Sequence, residues 1–231
     1  MSGQDQYPVL VSGGSSGLGA ALVATLHKNG TPVVVLDKQA PPGPADDFRL
    51  VDVSDSAATE QAVQELAERF GGLSGVVTAA GMDRCGPITG VSTADWEQVV
   101  KVNLMGTAAV IRAAVPYLER SHGRIVTIAS TLGLRPAGDA SAYCAAKFGV
   151  VGMTRALTME LAGKVGVTLV VPGGMRTAFF DDRTDQYKPA DRNMLNPPEY
   201  VADSIVHVLG QPAGCEIREL VICHEQEPSW P

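Results

Sequence analysis

The sequence has few cysteines, no excess of positive charge and no long apolar run. Its four cysteines, Cys85, Cys144, Cys215 and Cys223, are scattered without a CxxC pair, so we expect no zinc or other metal site. Acidic residues outnumber basic ones by 25 to 18 and give a net charge of −7. That balance argues against a nucleic-acid partner held mainly through phosphate contacts.

No apolar run approaches the roughly 18 residues that a membrane-spanning helix needs. The first residues also lack the basic segment followed by an apolar stretch that marks a signal peptide. We therefore expect no membrane partner and a cytoplasmic location, in which the cysteines stay reduced. A hydrophobic share of 45% with 19% charged residues argues against a disordered chain or a coiled coil.

Apolar segments of strand length alternate along the chain with amphipathic segments of helical length. Several strand segments are apolar nearly throughout, which is typical of parallel strands covered on both faces. The alternation predicts an α/β, doubly wound, Rossmann-like fold: a seven-stranded parallel sheet with helices on both faces. Without an internal repeat or a linker, we expect a single domain over residues 1–231. The predicted strands are 8–12, 32–37, 48–51, 75–80, 124–130, 167–171 and 217–223, and the predicted helices are 18–28, 57–70, 94–119, 142–161 and 198–209.

A glycine-rich turn, SGGSSGLG, follows the first predicted strand and opens the first predicted helix. Glycines let the backbone adopt conformations closed to other residues, and they let a pyrophosphate approach the amide groups without a Cβ in the way. The helix N-terminus adds unpaired N–H donors and partial positive charge. A glycine turn by itself is weak evidence and can be only a flexible loop, but its place in the first crossover unit predicts dinucleotide binding. The candidate cofactor residues here are Gly13, Ser15, Ser16, Gly17 and Leu18.

Asp37 closes the second predicted strand, where an acidic side chain can accept both ribose hydroxyls of adenosine. The same carboxylate would face the 2′-phosphate of NADP, and each like-charge pair at about 4 Å costs on the order of 4 kcal/mol at an effective dielectric near 20. The sequence therefore favours NAD over NADP as cofactor. Two readings stay open: Lys38 can soften the preference by reaching the phosphate, and Asp37 can be an ordinary acid at a strand end.

Tyr143 and Lys147 lie four residues apart on a predicted helix, so both side chains point to one face. Ser130 ends an apolar strand upstream, at the edge where α/β sheets bind ligands. Oxidation of an alcohol needs a base beside the hydroxyl, and a lysine ammonium at about 4 Å supplies roughly the 3–4 kcal/mol that would turn a tyrosine into one. Taken alone, the YxxxK pattern equally describes a surface tyrosine beside a lysine stem.

Together the glycine turn, the Tyr143–Lys147 pair and Ser130, 13 residues before the tyrosine, resemble the short-chain dehydrogenase/reductase family over nearly the whole chain. The family's turn usually begins with Thr, which is Ser12 here. The resemblance implies an NAD(P)-dependent oxidoreductase that moves a hydride between the cofactor and a secondary alcohol or ketone. In that enzyme Tyr143 is the general acid and base, Lys147 lowers its pKa and binds ribose, and Ser130 orients the substrate oxygen.

The resemblance extends to further residues. The family's active-site asparagine falls on Asn103, which implies a water that links the lysine to solvent, although a polar residue at a helix kink would look the same. The family's Asn-Asn-Ala-Gly segment is Thr-Ala-Ala-Gly here, without either asparagine, so we expect less local hydrogen bonding. Met175 is expected to offer its backbone amide to the cofactor carboxamide. The other implied cofactor residues are Asp52, Val53, Ala79, Ala80, Gly81, Pro172, Gly173 and Thr177.

The loop after the sixth predicted strand, roughly 177–197, sets substrate choice in this family. Two phenylalanines near its start are expected to cover the reacting carbon and exclude water. The charged residues that follow, Arg183 among them, suit a solvated loop surface better than a charged substrate. A loop of this modest length favours a small or medium substrate over one of steroid size. The candidate substrate residues are Met82, Leu132, Cys144, Phe179 and Phe180.

Family members often form dimers or tetramers through the long helices and the final strand, so a homo-oligomer, such as a homotetramer, is expected. Trp230 in the tail would either pack across such an interface or cover its own core edge. One alternative function is a non-catalytic dinucleotide sensor or structural relative, but such proteins typically lack the tyrosine or the lysine. Another is an isomerase or dehydratase, whose chains usually carry a larger C-terminal region.

Overall fold

The structure, a computed structural model, describes residues 7–227, so Trp230 lies outside the described residues. One six-residue π-helix, Lys101–Gly106, joins two of the α-helices. The strands are β1 (Val9–Ser12), β2 (Val33–Asp37), β3 (Asp47–Leu50), β4 (Gly75–Thr78), β5 (Arg124–Ile128), β6 (Gly166–Pro172) and β7 (Glu219–Ile222). The helices are α1 (Gly17–Lys28), α2 (Ser56–Phe70), α3 (Thr93–Val100), α4 (Thr107–Ser121), α5 (Ser141–Glu160) and α6 (Pro198–Leu209).

All seven strands form one parallel sheet in the order β3-β2-β1-β4-β5-β6-β7, which confirms the predicted fold class. Apolar side chains alternate between the two faces because neighbouring residues of a strand point to opposite sides. Leu10 packs in a core with α2, α4 and α5, whereas its neighbours Val9 and Val11 pack in a second core with α1 and α6. Helices therefore cover both faces, as the apolar strands require.

The single helix predicted over 94–119 is wrong in one respect, because the π-helix interrupts it. At this point the Asn103 side-chain amide donates to the Val99 carbonyl oxygen at 2.8 Å, and the Asn103 carbonyl accepts from the Thr107 hydroxyl. Side-chain hydrogen bonds of this kind compete with the regular backbone ladder, and π-turns often mark functional sites. The insertion turns Asn103 inward, where it is fully buried.

The continuous helical run Thr93–Ser121 is 29 residues long and contains an 18-residue window with mean hydropathy 1.3. Length and composition alone would let such a helix cross a membrane. More than half of that window, 56%, is buried inside the protein, and α4 packs on α2 while α3 packs on α5. Burial of its apolar face in the fold accounts for the hydropathy of this run.

The fold collects the predicted site at one edge of the sheet. Because all strands are parallel, the segments after β1, β2, β4, β5 and β6 emerge at the same carboxyl edge. The chain runs from β1 to β2 on one side and returns to β4 on the other, so the strand order reverses beside β1. A crevice forms at such a switch point, and it is where open α/β sheets bind their ligands.

Candidate functional site

A cavity of about 500 Å³ lies at this carboxyl edge. Its size is within the range of small-molecule binding sites. Most of the residues predicted from the sequence line it, although they come from segments spread over the whole chain. They are Gly13, Ser16, Gly17, Leu18, Asp37, Asp52, Val53, Ala79, Ala80, Gly81, Met82, Ser130, Leu132, Tyr143, Lys147, Pro172, Gly173, Met175, Thr177, Phe179 and Phe180.

Three predicted residues are not part of the cavity wall. Ser15 lies behind it, where its amide donates to Asp37 at 2.9 Å, and Asn103 lies behind Gly81. The prediction that Cys144 lines the pocket is wrong, because its buried thiol points to the Ala137 carbonyl oxygen instead, at 3.9 Å. A residue next to Tyr143 on a helix faces a different direction, so proximity in sequence did not place it in the pocket.

One end of the cavity, which we call the glycine-turn end, is formed by Gly13, Gly17 and Asp37. Gly13 has a φ of +74°, and a Cβ there would lie 2.5 Å from the Ala80 backbone nitrogen. A Cβ on Gly19 would collide with the Gly13 carbonyl oxygen. At these two positions the turn is packed too closely for any side chain, and only glycine permits it.

The start of α1 at this end suits a phosphate group. The Ser16 side chain accepts no hydrogen bond from the first turn of α1, and that turn holds no acidic residue. The first N–H groups of a helix have no partner within the helix and carry partial positive charge. Together with the close-packed glycines beside the cavity, these donors fit a dinucleotide pyrophosphate.

Asp37 brings a carboxylate to the glycine-turn end, and backbone groups hold it in place. Its Oδ2 accepts from the Ser15 amide at 2.9 Å and its Oδ1 from the Gln39 amide at 3.2 Å. Lys38 turns toward Asp52, with 3.9 Å between its Nζ and the Asp52 carboxylate. This end therefore presents two carboxylates and one lysine that is already beside one of them.

The opposite end, which we call the loop end, is formed by Tyr143, Phe179, Phe180 and Arg183. Tyr143 is buried near the start of α5, and Ser130 lines the cavity with it and favours the ionised form of its hydroxyl. The Phe179 ring lies against it, with 5.7 Å between the ring centroids. The side chains of Ser130, Tyr143 and Phe179 thus lie together, in the place expected from the sequence for the reacting group of the substrate.

Lys147 lies behind Tyr143. Its Nζ donates to the Ile128 carbonyl oxygen at 2.8 Å and lies 5.5 Å from the centroid of the Tyr143 ring. Burial lowers the pKa of Lys147 to about 8. An ammonium in this position is less firmly charged than a lysine at the surface.

The expected lowering of the Tyr143 pKa is not found in this structure. Burial raises the pKa of Tyr143 above its usual value, while the hydrogen bond from Ser130 opposes that rise. Of the charges nearby, Asp83 raises the pKa further and Arg183 lowers it. Desolvation of the phenol is the larger effect here, and the presence of a lysine four residues away does not reveal it.

Asn103 and Lys147 approach each other across Gly81. The point where a Gly81 Cβ would lie is 2.9 Å from Asn103 Oδ1 and 3.9 Å from Lys147 Nζ. The amide nitrogen of Asn103 donates to the Met82 carbonyl oxygen at 2.7 Å and to that of Val99 at 2.8 Å, whereas its Oδ1 is buried with no hydrogen-bond partner among the described residues. A buried acceptor of this kind is costly unless function or water uses it.

The segment without the family's asparagines contains one buried hydroxyl without a hydrogen-bond partner among the described residues. Thr78 closes β4, and its hydroxyl oxygen is buried with no partner among residues 7–227. The backbone still positions Ala79, whose amide donates to the Ser12 carbonyl oxygen at 3.0 Å. The two alanines therefore keep the glycine turn in place through their main chain.

A buried ion pair at the loop end was missed by the sequence analysis. Arg183 Nη2 lies 2.8 Å from Asp83 Oδ2, and the two side chains are 16% and 2% exposed. The guanidinium lies over the Phe179 and Phe180 rings, 5.1 and 4.6 Å from their centroids. The prediction that Arg183 lies on a solvated loop surface is therefore wrong, although its charged neighbours Asp181, Asp182, Lys188 and Arg192 are exposed.

The cavity wall also includes Glu227, which the sequence analysis did not single out. It follows β7 by five residues and belongs to no motif, so nothing in the sequence marked it. Within residues 7–227 we find no group of three histidine, cysteine, aspartate or glutamate residues placed to hold a metal ion.

Comparison with known proteins gives consistent family matches. Residues 8–188 match the family described as short chain dehydrogenase. An uncharacterized oxidoreductase of Staphylococcus aureus strain MW2 is 31% identical over 224 residues, which cover 92% of this chain and 95% of that protein. A hydroxy(phenyl)methylsuccinyl-CoA dehydrogenase subunit, BbsD of Thauera aromatica, is 33% identical over 224 residues, with 89% and 90% covered.

Among solved structures, an actinorhodin polyketide ketoreductase variant with NADPH is similar over 97% of this chain and 98% of its own. The TM-score is 0.84 and the sequence identity is 30%. The likeness thus covers the sheet, both helical layers and the crevice at the carboxyl edge.

Proposed function

This chain belongs to the short-chain dehydrogenase/reductase family of oxidoreductases, and we propose that it interconverts a secondary alcohol and its ketone with NAD as cofactor. The single observation that carries the proposal is the buried Tyr143 side chain, which shares with Ser130 the wall of a cavity whose other end is a glycine turn. A tyrosine that only stabilised the fold would not have to line a cavity of this size. When bound, the nicotinamide supplies or takes up the hydride.

Tyr143 is the proton donor and acceptor of the proposed reaction. Because burial raises its pKa, the phenol is protonated at neutral pH and ready to donate a proton to the oxygen of a ketone under reduction. In this proposal Ser130, which lines the cavity with Tyr143, hydrogen-bonds to the same oxygen and orients it. In the oxidation direction the phenol must first lose its proton, and the buried Lys147 ammonium favours the phenolate.

Lys147 and Asn103 connect the phenol to solvent in this proposal. Both approach one point beside Gly81, and Asn103 Oδ1 offers an acceptor there. A water held between amide oxygen and ammonium would carry the proton that Tyr143 gains or loses. The same lysine is placed to hold a ribose hydroxyl of the cofactor.

NAD is proposed over NADP because of the charges at the glycine-turn end. Backbone hydrogen bonds fix the Asp37 carboxylate in the cavity wall, and Lys38 is beside Asp52. A 2′-phosphate there would face two carboxylates. A kinetic comparison of NAD with NADP tests this preference against the ketoreductase at 30% identity, which was solved with NADPH.

The loop end suits a small or medium, largely apolar ketone or alcohol. Phe179, Phe180, Leu132 and Met82 line it, and the rings of Phe179 and Tyr143 are in contact. The similar protein from Thauera aromatica is named for a phenyl-bearing acyl-CoA substrate. An aryl ketone or an aryl acyl thioester is therefore the first class of substrate to test.

We also propose a homo-oligomer in the cytoplasm, built from one domain per chain. Met105 and Phe148, on the π-helix and α5, are half exposed, at 50% and 43%, and Val221 of β7 is 39% exposed. Apolar side chains of this kind on the long helices and the last strand suit contacts between copies. Light scattering after size-exclusion chromatography gives the number of copies.

The test is a screen for oxidation or reduction of nicotinamide by absorbance, with NADH and NADPH against aryl ketones, acyl thioesters, sugars and cyclic alcohols. Tyr143→Phe should reduce turnover about 10³-fold or more, because general acid–base catalysis is lost, while NADH binding measured by calorimetry is retained. Turnover that survives in the phenylalanine variant would remove Tyr143 from the reaction. NADH binding without turnover of any class would favour the non-catalytic alternative.

A further inference from the structure

Glu227 places a carboxylate in the wall of the cavity from the segment that follows β7. Its Oε2 accepts a hydrogen bond from the Gly174 amide at 3.0 Å. A Cβ on Gly173 would lie 2.8 Å from the same oxygen. Two consecutive glycines at the end of β6 therefore make room for this side chain, and a backbone N–H fixes its orientation.

The position of Glu227 separates it from the other carboxylates of the cavity wall. Asp37 ends β2 and Asp52 follows β3, on one side of β1 in the strand order, whereas Glu227 lies beside β6, on the other side of β1. The Pro172–Thr177 segment that holds it is continuous with Phe179, which contacts Tyr143. Glu227 thus lies on the side of the cavity that holds Tyr143 and Met175, the residues expected to face the reacting group and the cofactor carboxamide.

The charge of Glu227 is felt by its neighbours in the crevice. Burial, and after it the negative charge of Glu227, raise the pKa of the Cys223 thiol. The geometry agrees, because the position of a Gly173 Cβ is 2.8 Å from Glu227 Oε2 and 3.3 Å from Cys223 Sγ. A charge that disfavours a nearby thiolate would favour a nearby cation by the same interaction.

NAD+ and NADH differ in charge only at the nicotinamide ring, which is cationic when oxidised and neutral when reduced. We propose that Glu227 is a further cofactor-site residue, one that binds the oxidised nicotinamide in preference to the reduced one and so sets the relative affinity for the two forms. This inference rests on the proposed function. Contacts at the glycine-turn end are the same for both forms, so they cannot contribute to the difference.

The test is the ratio of the dissociation constants for NAD+ and NADH, measured by calorimetry on the protein without substrate. Glu227→Gln removes the charge and keeps an oxygen that can accept from the Gly174 amide. We expect the ratio of Kd for NAD+ to Kd for NADH to rise about 3- to 10-fold, the effect of one charge several ångströms away in partly screened surroundings. Glu225→Gln is the matched control, because it removes an exposed carboxylate two residues away, and it should leave the ratio unchanged.

Each other outcome has a defined meaning. If Glu227→Gln weakened the binding of NAD+ and NADH equally, Glu227 would only hold the segment after β7 against Gly174, and the inference would be overturned. An unchanged ratio would overturn it as well. Glu227→Asp keeps the charge and should stay closer to the unmodified ratio, which guards against a glutamine variant that folds poorly. If the protein prefers NADP to NAD, the same ratio measured with NADP+ and NADPH provides the test. Failure of the unmodified protein to bind any of the four would refute the proposed function itself, and this inference with it.

Discussion

The two ends of the cavity are held in place by different kinds of contact. At the glycine-turn end the main chain determines the geometry: Gly13 packs against the Ala80 backbone, and the Asp37 carboxylate is tied to the Ser15 amide. At the loop end side chains determine the geometry, because Arg183 pairs with Asp83, which lies 100 residues earlier in the chain. A cofactor that is common to a family suits the first kind of construction, and a variable substrate suits the second.

If the main chain determines the glycine-turn end, then a single methyl group should destroy it. Gly13→Ala adds a Cβ at 2.5 Å from the Ala80 nitrogen, at a φ of +74°. We expect NADH affinity to fall by about 100-fold or more, since a misplacement on the order of 1 Å is enough for such a loss. Calorimetric titration with NADH gives the change.

The matched control for this variant is Gly30→Ala. Gly30 has nearly the same φ, +73°, but no atom lies within 4 Å of the position of its Cβ. It should lose only the roughly 1–2 kcal/mol of stability that a left-handed alanine costs and should bind NADH normally. Equal affinity in the two alanine variants would mean that the close approach to Ala80 does not matter.

The loop end should be sensitive to the loss of one buried charge. Arg183→Met leaves the Asp83 carboxylate, 2% exposed, without its cation. Breaking a buried pair in this way destabilises a protein by about 3–5 kcal/mol. Urea unfolding measures the loss, and a rise in KM without loss of NADH binding would locate its effect at the loop end.

Arg192→Met provides the contrast within the same loop. Arg192 pairs with Asp181 at 3.0 Å, but both side chains are about half exposed. Exposed pairs contribute about 0–1 kcal/mol, so this variant should unfold almost as the unmodified protein does. Similar losses in both methionine variants would contradict the assignment of Arg183 to the core of the loop end.

This difference between the ends also explains what could be predicted from the sequence. The sheet, the glycine turn, Asp37 and the Tyr143–Lys147 pair are encoded in short segments with a fixed period or spacing, and the structure brings most of them to one cavity. At Asn103 the sequence offered a helix kink only as one alternative, because the π-helix is accompanied by a side-chain bond to Val99 that leaves no pattern in the sequence.

The residues missed by the sequence analysis share one property. Asp83 and Arg183, and likewise Gly174 and Glu227, are far apart in the chain and meet only after the sheet has formed. A charged residue in a loop is usually solvated, so burial of Arg183 contradicts the ordinary expectation. The Tyr143 pKa was misjudged for a related reason: its sign depends on burial, which spacing along a helix does not reveal.

Lys147 stands between the two ends and allows a test by pH. Burial lowers its pKa to about 8 from the usual 10.5, so the folded protein binds this proton less tightly than the unfolded chain does. Stability from this group is therefore fully present above about pH 10.5 and is lost as the pH falls toward 8. Relative to Lys147→Met, the unmodified protein should gain about 3 kcal/mol of unfolding free energy over that interval.

Urea unfolding at several pH values between 7.5 and 10.5 measures this gain. Lys101→Met serves as the control, because Lys101 is half exposed and pairs with Glu97 on the surface. Its unfolding curve should follow that of the unmodified protein at every pH. Parallel curves for the Lys147 variant and the unmodified protein would mean that the ammonium is solvated, and would weaken its proposed action on Tyr143.

The smallest effect is expected at Asp37, where the carboxylate sets a preference but not the geometry. Asp37→Asn removes the charge and keeps an oxygen for the Ser15 amide. The ratio of kcat/KM for NAD to that for NADP should fall about 10-fold, less than the full Coulomb term because the site is open to solvent. Asp52→Asn, at the carboxylate that Lys38 already partly neutralises, should change the ratio less. A preference of the unmodified protein for NADP would contradict this prediction. It would mean that Lys38 leaves Asp52 to bind the 2′-phosphate, so that a side chain determines the cofactor preference at this end as well.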